Sequence, residues 1–129
     1  ADYFDFNQTS PTMLNIQKLK SSWIKNIPTE YHRWNIERKL SFYKSKLAAV
    51  THVDLTARIQ TIGKNDDQKL RRVLHYFKEI TGFSVLLNTR LNEHDNCIAG
   101  NPIDAINIFK QTQMDILIID NFIIKKEDQ

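Results

Sequence analysis

The sequence predicts a mixed α/β domain built on a mostly parallel sheet with flanking helices. Three observations lead there. From Thr51 onward the chain alternates strand-like and helix-like segments, and such alternation argues for right-handed, largely parallel α/β units. The stretch Thr51–Ile62 (THVDLTARIQTI) alternates with the period of two that sends successive strand side chains to opposite faces. The whole is 129 residues, about one domain, with 41% hydrophobic and 26% charged residues, near globular averages and unlike a disordered chain.

Taken in order, residues 1–12 are turn-rich, with Asn7, Thr9, Ser10 and Pro11 as breakers. Tyr3, Phe4 and Phe6 make this polar arm aromatic enough to dock on the body. Met13–Leu19 carries a short strand pattern. Pro28-Thr29-Glu30 reads as a helix entry with Thr29 as the capping acceptor, and Ile36, Leu40, Tyr43 and Leu47 repeat beyond it at helical spacing. The rest of this helix, about 29–48, is basic: Arg33, Arg38, Lys39, Lys44 and Lys46 stand against Glu30 and Glu37. Such a run is ordinarily a solvated amphipathic face. The functional alternative is an RNA-contacting helix over 31–47, but no RNA-binding signature accompanies it.

In Thr51–Ile62, the residues Val53, Leu55, Ala57, Ile59 and Thr61 share the core face. His52, Asp54, Thr56, Arg58 and Gln60 line the other, which by pattern alone is the wet side of a sheet. A polar turn, Gly63–Gln68, offers Asn65 and Asp66 as caps. Leu70, Val73, Leu74, Phe77 and Ile80 then form an apolar helical stripe, closed by Gly82 where a left-handed residue is wanted. Phe83–Asn88 (FSVLLN) reads as a buried strand. The polar loop Thr89–Gly100 holds Arg90, Glu93, His94, Asp95 and Cys97; the spacing of His94, Asp95 and Cys97 matches no recognised zinc pattern. Asn101 caps the next helix, Pro102 takes its first position and Asp104 follows three residues after the cap, ahead of Ala105, Ile106 and Phe109. Asp115–Ile119 and Phe122–Ile124 make a last strand pair or one kinked strand.

Composition narrows the function. The net charge of +3 and a pI near 9.0 suit a phosphate-bearing ligand without demanding one. A single cysteine, Cys97, excludes an internal disulfide and a cysteine-rich zinc site, in keeping with a reducing, cytoplasmic setting. No run approaches the ~20 apolar residues of a membrane span. The start ADYFDF has no signal-peptide character, and the missing initiator Met suggests a piece of something longer. Neither a glycine-rich phosphate loop nor a nucleophile–His–Asp spacing is present. In parallel α/β sheets ligands gather at the carboxyl ends of strands. The loop after FSVLLN and the polar face of Thr51–Ile62 are therefore expected to border one crevice.

Four blocks taken together, SPTMLNI, THVDLTARIQT, TGFSVLLNTRLN and NPIDAINIFKQTQMDILIIDNFII, resemble in order and register the C-terminal domain of the O-carbamoyltransferases, the nodulation-factor and antibiotic carbamoylating enzymes. The resemblance implies a YrdC-like twisted α/β sheet. It implies a domain that binds ATP, with Mg, and carbamoyl phosphate to form a carbamoyl-adenylate. An N-terminal, ATPase-like and metal-dependent domain, in the same or another chain, then passes the carbamoyl group to an acceptor hydroxyl. Arg58 matches the arginine of the family's HVDGTAR block and is the expected phosphate contact, since guanidinium forks suit phosphate oxygens. His52, Asp54 and Gln60 share its face and are expected to orient it or the nucleotide. Asn88, Thr89 and Asn92 match the family's LNTSFN block and are expected at the pocket rim.

The departures are informative too. The family's HVDGTAR glycine is Leu55 here, and its LNTSFN serine and phenylalanine are Arg90 and Leu91. Its GEPI segment is replaced by Asp95-Asn96-Cys97-Ile98. Thr29–Ala48 looks like an insertion, and the upstream GPRALGNRS block is absent from these residues. Arg90 either supplies a substitute cation or blocks the site. The leading expectation is thus part of a carbamoyltransferase, inactive as this isolated chain. The alternatives are a non-catalytic binding module of the same fold and the RNA-binding module.

Overall fold

The computed structural model describes residues 2–92 and 97–126, and the chain divides into two compact units, 1–87 and 88–129. Its secondary structure is mixed α/β: strands β1 (Asn15–Lys18), β2 (Thr56–Ile59), β3 (Ile116–Ile119) and β4 (Phe122–Lys125), and helices α1 (Ile36–Ser41), α2 (Gln68–Thr81) and α3 (Pro102–Gln111).

The mostly parallel sheet is not what these strands build. Among the described residues β1 pairs with β2 and β3 with β4, both antiparallel. Two features account for the difference. The strand expected at Phe83–Asn88 does not form a ladder, its Leu86 and Leu87 37% and 60% exposed, so no strand–helix–strand crossover forms there. The last two strands are joined by only two residues, Asp120 and Asn121, with Asp120 in the left-handed region at φ 50°, and so short a link permits antiparallel pairing alone.

In the first unit the N-terminal arm docks as its aromatics suggest. Tyr3 is buried with Leu19 and Leu47, and Phe4, Trp23, Ile24, Val50, Phe83 and Val85 pack around them. The rings of Tyr3 and Trp23 lie 4.9 Å apart, and Trp23 hands its indole N–H to the Asp2 carbonyl at 3.0 Å.

The long basic helix is overturned. Thr29 donates its hydroxyl to Glu30 rather than capping, and Asn35 caps a helix of 6 residues by accepting from the Arg38 N–H. Tertiary contacts outweigh helical periodicity after that. Tyr31, Trp34 and Phe42 close into a ring cluster with centroids 5.3–5.8 Å apart. Residues 44–46 then run extended beside 23–25, with Ile24 bridged to Ser45 and Lys25 N–H bonded to the Lys44 carbonyl at 2.9 Å. The expected stripe is consequently exposed at Ile36, Leu40 and Tyr43, and only Leu47 is buried.

Helix α2 has the expected extent and ends on Gly82 at φ 82°, but its cap is Asp67, which accepts from the Lys69 and Leu70 N–H groups. Asp66 instead accepts from Gly63. None of its residues is buried: Val73 and Ile80 are 51% and 84% exposed.

In the second unit α3 starts as its sequence predicts, Asn101 accepting from the Asp104 N–H and Pro102 opening the helix. Ala105, Phe109 and Leu117 form its core, with Leu91, Ala99, Ile106, Met114, Ile119 and Ile124 packed on them. Of the loop residues weighed for metal binding, His94 and Asp95 lie outside the described residues, as does Glu93; Cys97 is an exposed free thiol.

Candidate functional site

The alternation of Thr51–Ile62 survives folding, although only Thr56–Ile59 is a ladder strand. Ala57 and Ile59 are buried, whereas His52, Asp54, Arg58 and Gln60 are exposed on the other side. Before the strand the chain makes a tight turn. His52 N–H bonds to the Thr56 carbonyl at 2.8 Å and Leu55 N–H to the His52 carbonyl at 3.1 Å, with Leu55 at φ 67°. This is the position of the family's glycine in the resemblance noted above. The turn demands a left-handed residue, and here leucine meets the demand under strain.

Three side chains of this turn form one hydrogen-bonded chain. Thr56 donates its hydroxyl to Asp54 Oδ1 at 2.7 Å and its backbone N–H to the same oxygen at 3.1 Å. His52 Nδ1 lies 3.0 Å from the Thr56 hydroxyl. The Thr56 hydroxyl holds the Asp54 carboxyl below the usual carboxylate range, with help from the Thr56 N–H and the nearby imidazole, against a smaller opposing effect of burial. Behind the turn the buried Tyr31 gives its phenol proton to the Val53 carbonyl at 2.8 Å. Burial, then the Asp54 charge, pushes that phenol up.

Arg58 lies opposite Ile16 in the β1–β2 register and turns its guanidinium onto the Met13 carbonyl, through Nε at 3.1 Å and Nη2 at 2.6 Å. Gln60 does the same to the Pro11 carbonyl at 2.8 Å. Ser10 completes the clamp: its carbonyl accepts from the Thr61 N–H, its own N–H donates to the Thr61 hydroxyl, and its hydroxyl takes the Asn15 amide at 2.9 Å. The SPTM segment is thus strapped across β2, and the strap fixes Arg58 with its Nη1 edge not engaged by Met13.

Of the expected site residues, His52 and Asp54 come together through Thr56, while Arg58 and Gln60 are anchored one strand-step apart on Met13 and Pro11. Asn88, Thr89 and Arg90 belong to the second unit and are exposed; Asn92 there is half-buried. The crevice at the end of FSVLLN lacks the strand it required. Sequence reasoning missed three participants: Thr56 as a linker, Tyr31 as a support, and Met13, which acts through its backbone carbonyl and so leaves no trace in its side chain. Within the second unit an open groove of about 310 Å³ is lined by Cys97, Ile98, Asp104, Asn107 and Gln111, among others. Among the described residues no three His, Cys, Asp or Glu side chains converge on a metal position, and no helix is long and apolar enough to cross a membrane.

Fold and site define a mixed α/β module in which a fixed guanidinium and a His–Thr–Asp chain lie on the same exposed face. Its family is shown by comparison: residues 1–126 match the model described as Carbamoyltransferase C-terminus, and the chain belongs to that family. It is 36% identical to the Synechocystis protein sll1178 over 130 residues, 100% of this chain and 21% of that protein. It is 40% identical to nodulation protein NolNO of Sinorhizobium fredii over 83 residues, 64% of this chain and 12% of that protein. It is 38% identical to nodulation protein NolO of Bradyrhizobium diazoefficiens over 80 residues, 62% of this chain and 15% of that protein. The chain therefore spans about a fifth or less of the curated relatives it matches.

Proposed function

We propose that this chain is the substrate-activating part of a carbamoyltransferase, binding ATP and carbamoyl phosphate to form a carbamoyl-adenylate for an acceptor hydroxyl. The observation that carries the proposal is Arg58: an exposed guanidinium, on the strand of the family's HVDGTAR-like block, preset by its bond to the Met13 carbonyl. Both ligands are phosphates, and a fixed cationic fork costs little reorganisation when it meets phosphate oxygens. His52, Asp54 and Gln60 share its face; Asn88, Thr89, Arg90 and Asn92, in the second unit, are proposed as ligand contacts only by their position in the family's LNTSFN block. No metal-holding cluster accompanies Arg58 among the described residues, so magnesium is proposed to arrive on the triphosphate. A transfer domain N-terminal to this family's C-terminus is the proposed partner, and the cytoplasm the proposed setting. The YrdC-like likeness rests on the motif blocks, not on the strand pairing of the described residues.

The experiment is thermal unfolding with Mg-ATP and with carbamoyl phosphate, on the wild type, Arg58→Lys and Arg58→Ala. A ligand at about 100 times its Kd adds roughly 2.7 kcal/mol, a shift of several degrees. The shift is expected in the wild type and lost or sharply reduced in both variants, with the ligand-free Tm of Arg58→Lys near wild type. An undiminished shift in both variants, or none in the wild type, overturns the assignment.

The non-catalytic alternative is favoured by one observation, that Arg58 is partly engaged by Met13 already. The RNA alternative loses its scaffold, because the helix over 31–47 does not form. Its cations instead sit on rings, Arg38 3.9 Å from the Trp34 centroid and Lys46 5.5 Å from that of Trp23.

A further inference from the structure

We propose that Asp54 and Thr56 hold His52 in the tautomer protonated at Nδ1, so that Nε2 offers a lone pair which accepts a hydrogen bond from the amide N–H of the carbamoyl ligand. The proton count forces the first half. An ionised carboxylate only accepts, and Asp54 Oδ1 takes the single hydroxyl hydrogen of Thr56 at 2.7 Å. With that hydrogen committed, the Thr56 oxygen meets His52 Nδ1, 3.0 Å away, as an acceptor. Nδ1 must then carry hydrogen, and the other nitrogen of a neutral imidazole is left as an acceptor. His52 is exposed, so Nε2 is accessible.

The second half follows from ligand chemistry and rests on the activation reading above. A lone pair repels phosphate oxygens and attracts N–H or O–H. Arg58, on the same polar face, supplies donors for phosphate. A ligand that suits both groups carries a phosphate at one end and a hydrogen-bond donor at the other. Carbamoyl phosphate does, through its amide; acetyl phosphate has a methyl group in that place. His52 is thus a selector of the carbamoyl group, and Thr56 is a positioning residue acting through it.

Two measurements test the two halves separately. Long-range ¹H–¹⁵N correlation spectra near pH 8 on the full chain read the tautomer without any ligand. His52 is expected protonated at Nδ1 in the wild type and in Thr56→Ser, which keeps the hydroxyl. In Thr56→Val it is expected to revert to the Nε2–H form favoured by a free imidazole. Nε2–H in the wild type overturns the relay. Affinities for carbamoyl phosphate and acetyl phosphate, by calorimetry, then read selection. The wild type is expected to prefer carbamoyl phosphate by about 2- to 12-fold, the range one neutral hydrogen bond supplies, and Thr56→Val to lose the preference, while Arg58→Lys weakens both ligands alike. Equal wild-type affinities overturn the selector role and leave the activation reading standing. Binding of neither phosphate overturns both, and the spectra still decide the relay.

Discussion

Leu55 sits at φ 67°, and the energetic consequence can be isolated by comparing Leu55→Ala with Leu55→Gly. Both substitutions remove the half-buried leucine side chain, so what separates them is one Cβ. In the left-handed region a Cβ crowds the neighbouring carbonyl oxygen at a cost of about 1–2 kcal/mol. Glycine loses about 0.5–1 kcal/mol more than alanine in chain entropy on folding. Since the first effect is the larger, Leu55→Gly is expected to be more stable than Leu55→Ala by about 0.5–1 kcal/mol. At an ordinary extended or helical position the order is reversed. Trp23 and Trp34 both lie in the first unit, so their fluorescence during thermal unfolding reports the relevant transition. The gap corresponds to roughly 2–8 °C for a unit of this size. A Leu55→Ala variant as stable as Leu55→Gly, or more so, refutes the reasoning, because it means the turn does not hold this residue left-handed.

Other expected outcomes are as direct. Phe109→Ala, at a site 3% exposed in the second unit, is expected to cost about 3–5 kcal/mol, whereas Ile80→Ala, 84% exposed on α2, is expected within about 0.5 kcal/mol of wild type; urea midpoints compare them, and a costly Ile80→Ala shows that its helix face is covered. Asn101→Ala removes the α3 cap and is expected to cost about 1 kcal/mol; helicity by circular dichroism and the same unfolding curves check it, with no loss showing the cap to be idle. Asp54 titrates below the usual carboxylate value of 3.8 in the folded state, so its contribution is whole above that value and drains away as pH falls through the folded pKa. The stability advantage of wild type over Asp54→Asn is therefore expected to shrink on acidification from about pH 5 to about pH 2; a gap that stays constant across that range shows that the Thr56–Asp54 bond does not stabilise the carboxylate.

The sequence by itself determined what depends on neighbouring residues. Asn101, Pro102 and Asp104 specify the start of α3 because a cap is closed within one turn. Gly82 specifies the end of α2 because only the backbone angle matters there. The two-face pattern of His52 to Gln60 specifies which side chains meet water, since a strand has just two faces. The motif blocks likewise specified the family. Tertiary structure decided the rest. The helical spacing through Ile36 and Leu40 yielded to ring packing among Tyr31, Trp34 and Phe42, because burying aromatic surface outweighs helix propensity over a few residues. FSVLLN stayed unladdered and the strands paired antiparallel, because pairing is chosen by distant chain and connection length, not by local pattern. Only in three dimensions does the carbonyl of Met13 meet Arg58, 45 residues away, and turn a row of polar residues into a positioned site.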